Sequence, residues 1–144
     1  MWTAIDPAIF VQAPEAALAN DGASGSSQSE AWMKCIDRLL AIRSLEDDWD
    51  GQGTPAPGQR LVESAIILAA LLRQGGLRAP DLTVQTPAEG VVFDWWGSNR
   101  SLFEIEVSDP YIAHVCRSAD DGDPTHWMIR GIDDRLVPRQ AVGA

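Results

Sequence analysis

Residues 45 to 55 are Leu45-Glu46-Asp47-Asp48-Trp49-Asp50-Gly51-Gln52-Gly53-Thr54-Pro55, and they separate two segments with helical periodicity. The glycines supply backbone freedom at positive φ, and the proline delays the start of the next helix. A sharp turn is therefore predicted, with Asp48 and Asp50 accepting hydrogen bonds from its backbone N–H groups. Trp49 is predicted to pack back between helix and sheet, because an indole buries a large apolar area. We interpret Trp49, Asp50, Gly51 and Gly53 as a structural corner.

The two segments beside this corner are predicted to be amphipathic helices. The first begins at Ser27, because Ser27-x-x-Glu30 fits a capping box, and its apolar residues recur at three- and four-residue spacing. The second begins at residue 58 or 59 and ends at Gly75-Gly76. It is apolar around most of its circumference, which predicts that the sheet and the first helix both bury it.

After Pro80 the hydrophobic pattern changes from helical spacing to alternation. Short alternating runs are separated by turn signals, which indicates an antiparallel meander. The runs are 82–86, 91–96, 101–107, 111–117 and 125–132. The predicted fold is α+β, with two helices packed on one face of a four- to five-stranded antiparallel sheet. This single domain is predicted to cover residues 29–137, after a flexible or loosely docked arm (1–28) and before a frayed tail (138–144).

Several short motifs follow one another in the middle of the chain. They are Trp49-Asp50-Gly51-x-Gly53 with a proline soon after, Thr86-Pro87-x-x-Gly90, Phe93-x-Trp95, and Leu102-Phe103-Glu104-Ile105-Glu106-Val107. This order resembles a family of small uncharacterised bacterial and phage proteins in which the pattern runs WDGYGA-P, helix, PTPDGG, LEW, LEIEI. The resemblance covers residues 45 to 107 and departs from the family at Gln52, where an aromatic residue is common. It implies a shared fold and a bacterial or phage source, and it implies no reaction.

The composition indicates one soluble domain without a cofactor. With 144 residues, of which 45% are hydrophobic, the chain can bury a core of its own. Cys35 and Cys116 form no CxxC pair, so free thiols in a reducing cytoplasm are expected, and neither a zinc site nor a redox motif. The N-terminus shows no signal-peptide pattern and no apolar run approaches about 18 residues, so neither export nor a membrane span is predicted.

Negative charge is concentrated in the strand-forming half of the chain. The formal net charge is −10, and residues 81–134 contribute eleven acids against three arginines. Residues 29–80 are nearly neutral, with seven acids and six bases. Direct DNA or RNA binding needs the opposite sign, since contacts from Lys and Arg to phosphates supply most of the non-specific affinity. We therefore expect a protein partner with a basic surface, and neither a nucleic acid nor a membrane.

The faces of two predicted strands indicate where such a partner would dock. Glu104 and Glu106 alternate with apolar residues, so they share a face that is expected to be exposed and anionic. Trp95 and Trp96 must point to opposite faces, and Trp96 is expected to be the exposed one unless the arm or the tail covers it. An exposed tryptophan among carboxylates is typical of a binding hot spot. The predicted partner-binding residues are Asp94, Trp96, Glu104, Glu106 and Asp109.

The acids of the corner match part of the ligand spacing of a calcium-binding loop. Glu46, Asp48 and Asp50 match its first, third and fifth positions, but Pro57 stands where a bidentate glutamate is needed. We therefore predict a structural turn there and no metal site.

A cysteine and two histidines form the other pattern that suggests chemistry. If runs 111–117 and 125–132 pair, Cys116 faces His126, with His114 on the same side, and such a pair is a candidate nucleophile and base. No oxyanion-hole motif is aimed at Cys116, and cysteines on strands are mostly core residues, so a structural role is preferred.

The sequence therefore favours a non-enzymatic, acidic protein-binding module that resembles an antitoxin, an immunity protein or an inhibitor. Its sheet face is expected to dock a basic surface, and its charge to speed that encounter. One alternative is a phage-encoded inhibitor that mimics nucleic acid by charge and blocks a host defence nuclease complex, as anti-CRISPR proteins do. The other is a hydrolase that uses Cys116 and His126.

Overall fold

The structure is a computed structural model that describes residues 25–86, 90–97, 101–119, 122–130 and 132, with the backbone alone at residues 25, 26, 119, 122 and 123. In this part of the chain two helices precede five strands. The helices are α1 (Gly25–Arg43) and α2 (Gln59–Gln74), and the strands are β1 (Leu82–Gln85), β2 (Val91–Trp96), β3 (Leu102–Asp109), β4 (Ile112–Ala119) and β5 (Gly122–Arg130). The predicted arm up to residue 24 and the predicted tail (138–144) lie outside the described residues.

The strands form one antiparallel meander in the order β1-β2-β3-β4-β5, and both helices pack on one of its faces. This arrangement confirms the predicted α+β fold. Alternate side chains of each strand point into the core beneath the helices, because successive residues of a strand point to opposite faces. Trp95 lies at the centre of this core, with its ring centroid 5.3 Å from that of Phe103 and 6.4 Å from that of Phe93. The buried core-facing strand residues are Val91, Phe93, Trp95, Phe103, Ile105, Val107, Ala113, Val115 and Ile129.

The start of α1 differs from the prediction. The helix begins at Gly25, so Ser27 lies inside its first turn and is not the N-cap. Within this first turn the side-chain Oε1 of Gln28 accepts a hydrogen bond from the backbone N–H of Ala79 at 3.1 Å. This bond holds the first turn of α1 against the segment before β1. Residues 25–28, which the sequence placed in the arm, therefore belong to the helix.

Helix α2 begins and ends where its sequence signals predict. It starts at Gln59 after the two prolines of the corner, and it stops after Gln74. Gly76 adopts a φ of +91°, which glycine reaches without steric cost. The backbone N–H of Leu77 then donates to the carbonyl of Leu72 at 3.1 Å, and this bond closes the helix end.

Helix α1 is fixed to the edge strand β1 by polar contacts. The Nε of Arg38 donates to the carbonyl of Thr83 at 3.3 Å, and its Nη2 donates to Oε1 of Gln85 at 2.9 Å. The Sγ of Cys35 lies 3.5 Å from Oγ1 of Thr83. Burial raises the pKa of the Cys35 thiol, and the Thr83 hydrogen bond only partly opposes this. These contacts hold α1 on the same side of the sheet as α2.

The corner is stabilised by its own carboxylates, as predicted. The Oδ1 of Asp48 accepts a hydrogen bond from the N–H of Gly53 at 2.6 Å. Asp50 accepts from the N–H groups of Gln52 (2.9 Å) and Thr54 (3.3 Å), and from the Thr54 hydroxyl. The Thr54 hydroxyl and then these N–H groups lower the pKa of Asp50, so its carboxylate stays ionised and keeps the turn closed.

The predicted packing of Trp49 between helix and sheet is wrong. Trp49 is half-buried, lies outside the core cluster, and donates from Nε1 to the carbonyl of Pro55 at 3.3 Å. Three residues of this segment have positive φ, namely Asp48 at +65°, Gly51 at +74° and Gly53 at +78°. They coil the chain onto itself, so the indole covers the coil and does not reach the sheet.

Candidate functional site

The sheet face opposite the helices carries two rows of side chains that cross all five strands. One row is Leu82, Asp94, Glu104, Cys116 and His126, and the other is Val84, Val92, Glu106, His114 and Met128. We call these rows, together with Trp96 and Asp109, the open face. Neither of the described helices packs on it. The predicted grouping of Glu104 with Glu106 is confirmed, and the register adds neighbours on β1 and β5 that strand periodicity alone did not align.

Exposed apolar side chains lie on both sides of the carboxylates on this face. Trp96 is 52% exposed while Trp95 is wholly buried, which confirms the predicted orientation of the pair. Leu82 on β1 is 37% exposed and Met128 on β5 is 41% exposed. A single exposed apolar residue is ordinary, but three on one sheet face around ionisable groups are typical of an interaction surface.

The backbone of Trp96 is held by an ion pair that precedes β1. Arg78 and Asp81 form this pair, with Nη1 2.9 Å from Oδ1. The Oδ2 of Asp81 accepts from the N–H of Trp96 at 2.8 Å, and Arg78 donates to the Trp96 carbonyl at 3.2 Å. Burial alone would raise the pKa of Asp81, but the hydrogen bonds from Arg78 and Trp96 outweigh it and lower that pKa. The exposed indole is thus presented from a fixed strand end.

Asp94 lies on the predicted face but is not an exposed carboxylate. It is 9% exposed, because its short side chain sits on β2 between Leu82 of β1 and Glu104 of β3. Its Oδ1 is buried and has no hydrogen-bond partner among the described residues. Burial, then the hydrogen bond to Glu104 and the charge of Glu104, raise the pKa of Asp94 to about 7. Asp94 therefore keeps its proton up to near neutral pH and can donate it to Glu104.

The other two predicted acids reach the open face in different ways. Glu106 is half-exposed in the middle of β3, opposite His114. Asp109 is exposed at the end of β3, where a bulge after Val107 shifts the register so that Asp109 pairs with Ile112. Without that bulge Asp109 would point to the helix side. Asp94, Glu104, Glu106 and Asp109 therefore share one face, as the sequence predicted.

A shallow groove on the open face contains the cysteine and both histidines. It has a volume of about 400 Å³, and in it Cys116 lies directly opposite His126, with His114 on the same face. This confirms the predicted pairing. Burial and then the charge of Glu104 raise the pKa of the Cys116 thiol, so the thiol stays protonated at neutral pH. A nucleophilic cysteine needs a shift of its pKa in the opposite direction.

Thiol reactivity tests this reading of Cys116. In a Cys35→Ser variant we expect Cys116 to react with iodoacetamide at pH 7 more slowly in the folded protein than in denaturant, because the thiolate is disfavoured. The denatured chain is the internal control. A folded-state rate above the denatured rate would show an activated thiol and would revive the hydrolase alternative.

Neither metal-site geometry nor similarity to known proteins identifies what the open face binds. In the described ranges, no group of three or more His, Cys, Asp or Glu side chains is placed to hold a metal ion. None of the helices in the described part of the chain has the length and apolar character needed to cross a membrane. Comparison with protein-family models, curated proteins and solved structures gives no match.

Proposed function

We propose that this protein is a non-enzymatic binding module that docks a basic surface of a partner protein through its open face. The observation that carries the proposal is the placement of Glu104, Glu106 and Asp109 on the same face as an exposed Trp96. Large aromatic side chains dominate binding hot spots, and carboxylates around them select a partner of opposite charge. Neither described helix occupies this face.

The charge of the chain supports a partner that itself acts on nucleic acids. Proteins that bind DNA or RNA present Lys and Arg to the phosphates, so their working surfaces are basic. A chain with a net charge of −10 is attracted to such a surface over a distance of about a Debye length. We therefore place this protein with antitoxins, immunity proteins and inhibitors of nucleic-acid enzymes.

The paired carboxyl groups of Asp94 and Glu104 offer a specific anchor for a cation. Two carboxyl groups directly opposite each other on neighbouring strands need either a shared proton or a positive group. An arginine or lysine side chain of the partner would replace that proton. Its aliphatic part would pack on Leu82, which is exposed in the same row.

Site-specific crosslinking tests which face binds. A photo-crosslinking residue is introduced at Met128 on the open face and, in a separate variant, at Met33 on α1, which is 52% exposed. We expect an adduct in the native host from position 128 and none from position 33, because only the former lies on the docking surface. Equal adducts from both positions would contradict docking through the open face.

The partner recovered in that way allows a test of charge. We expect the Glu104→Gln/Glu106→Gln variant to bind at least about tenfold more weakly, and wild-type affinity to fall from low to high salt. The control is Glu30→Gln/Asp37→Asn, which removes the same charge from exposed positions on α1. Affinity that is insensitive to salt, or an equal loss in the control, would overturn the basic-partner proposal. If nucleic acid competes with this protein for the partner, that result favours the alternative in which the protein mimics nucleic acid by charge. It disfavours an inhibitor that binds outside the partner's nucleic-acid site.

A further inference from the structure

A second cavity lies where the end of α1, the first turns of α2 and the β3–β4 turn meet. Its volume is about 460 Å³, and Arg43 and Arg60 both line it. None of the residues of the open face contributes to this cavity. The cavity is therefore a separate feature of the molecule.

The guanidinium groups of the two arginines in this cavity have no described partner. Arg38, Arg73 and Arg78 each donate a hydrogen bond to a side chain. The guanidinium groups of Arg43 and Arg60, like that of Arg130, make no described hydrogen bond or ion pair, although acids outnumber bases by ten in the chain. Two guanidinium groups facing one concave space leave positive charge there that a bound anion would neutralise.

Helix stabilisation explains only one of these arginines. Arg43 is in the last turn of α1, where a cation interacts favourably with the helix dipole. Arg60 is in the first turn of α2, where a cation is unfavourable, and that turn contains no acid to offset it. The position of Arg60 therefore has a cost within its own helix, and a role in the cavity would account for it.

Tyr111 supplies an aromatic wall in an unusual backbone conformation. Its φ is +69°, which is uncommon for a bulky residue and would suit glycine or asparagine better. The conformation is held on both sides: its N–H donates to Oγ of Ser64 at 3.0 Å, and its carbonyl accepts from the N–H of Ile132 at 3.0 Å. Ser64 is itself fixed, because its hydroxyl donates to the Arg60 carbonyl at 2.9 Å. The ring lines the cavity and is 43% exposed.

We propose that this cavity binds a small organic anion, with a carboxylate or phosphate group between Arg43 and Arg60 and an apolar part against Tyr111. Arginine binds both anionic groups through paired N–H donors. Ile66 and Ile67 are half-buried and complete the apolar wall. Glu63 lines the same cavity and repels a polyanion, so a compact ligand with one anionic group is favoured.

Calorimetric titration of the full chain with three probes tests the inference: inorganic phosphate, phenyl phosphate and benzoate. We expect saturable binding of phenyl phosphate or benzoate, tighter than that of inorganic phosphate because the ring contacts Tyr111 and the isoleucines. Arg43→Gln and Arg60→Gln should each weaken binding about tenfold or more. Glu63→Gln should strengthen it a few-fold. The preferred aromatic probe distinguishes a carboxylate from a phosphate ligand.

The control is Lys34→Gln, which removes an exposed cation from α1 outside the cavity and should leave probe binding unchanged. Tyr111→Phe keeps the ring and the backbone bonds and should retain binding, while Tyr111→Gly removes the ring from a position glycine accepts and should weaken it. Thermal melts confirm that each variant is folded. Absence of saturable binding of all three probes to the wild-type chain, or an equal loss in Lys34→Gln, would overturn the inference. Neither result bears on the docking proposed for the open face.

Discussion

Replacing Trp95 with alanine is expected to lower the free energy of unfolding by about 3 to 5 kcal/mol, because the indole is wholly buried at the centre of the core. The same change at Trp96 is expected to cost less than about 1 kcal/mol, since half of that side chain is already in water. The two residues are adjacent on one strand and chemically identical. The difference between the two losses in free energy of unfolding therefore shows which side of the sheet faces the core.

Urea unfolding followed by far-UV circular dichroism measures both effects, with the slope of the transition used to check that each variant unfolds in the same way. The loss of stability in Trp95→Phe should lie between those of the two alanine variants. Phenylalanine keeps the ring contacts but leaves the Arg78 carbonyl without the indole N–H that donates to it at 2.8 Å. Equal losses at the two positions would show that the assignment of inner and outer faces is wrong. With the partner recovered by crosslinking, Trp96→Ala should in turn weaken reversible binding.

Replacing Asp94 with asparagine is expected to stabilise the protein at pH 8 and to stabilise it by less than half as much at pH 5. The pKa of Asp94 is raised from the ordinary 3.8 to about 7 by burial and by Glu104. Between these values the folded protein keeps a proton that the unfolded chain has lost, so stability falls as the pH rises and levels off above about 7. Asparagine carries no titrating proton and can donate to Glu104 at every pH, so the variant lacks this slope.

The expected gain at pH 8 is about 2 kcal/mol. The displacement of the pKa would correspond to about 4 kcal/mol for a fully enclosed group. Solvent on the open face screens the Asp94–Glu104 pair, and about half of that value is retained. Urea unfolding at the two pH values measures the effect, with Glu63→Gln on α2 as the control because that carboxylate is exposed. A variant that gains equally at pH 5 and pH 8 would exclude titration of Asp94 as the cause.

Local sequence patterns were sufficient for the layers and faces of the fold. Alternation along β2 and β3 places Trp95 and Phe103 inside and Trp96 and Glu104 outside, because side chains of a strand alternate with a period of two. The same alternation on β4 and β5, with the acidic turn between them, predicts that Cys116 lies opposite His126. These features need no information from distant parts of the chain.

Features that depend on distant contacts were not predictable from those patterns. The burial of Asp94 depends on residues on two neighbouring strands, and the first turn of α1 is bonded through Gln28 to Ala79, which lies 51 residues away in the chain. The cavity formed by Arg43, Arg60 and Tyr111 unites three separate segments. The only local signal for it was a tyrosine directly after an Asp-Pro pair, a position where the chain turns.

The corner between the helices is held together by its own residues and does not depend on the open face. Its described side-chain hydrogen bonds join residues 47 to 56 to one another, and its tryptophan covers that same coil. Such a turn forms whichever side chains the sheet carries on its open face. Substitutions on the open face would therefore leave this turn intact, so what the face binds could change without a change in the connection between the helices.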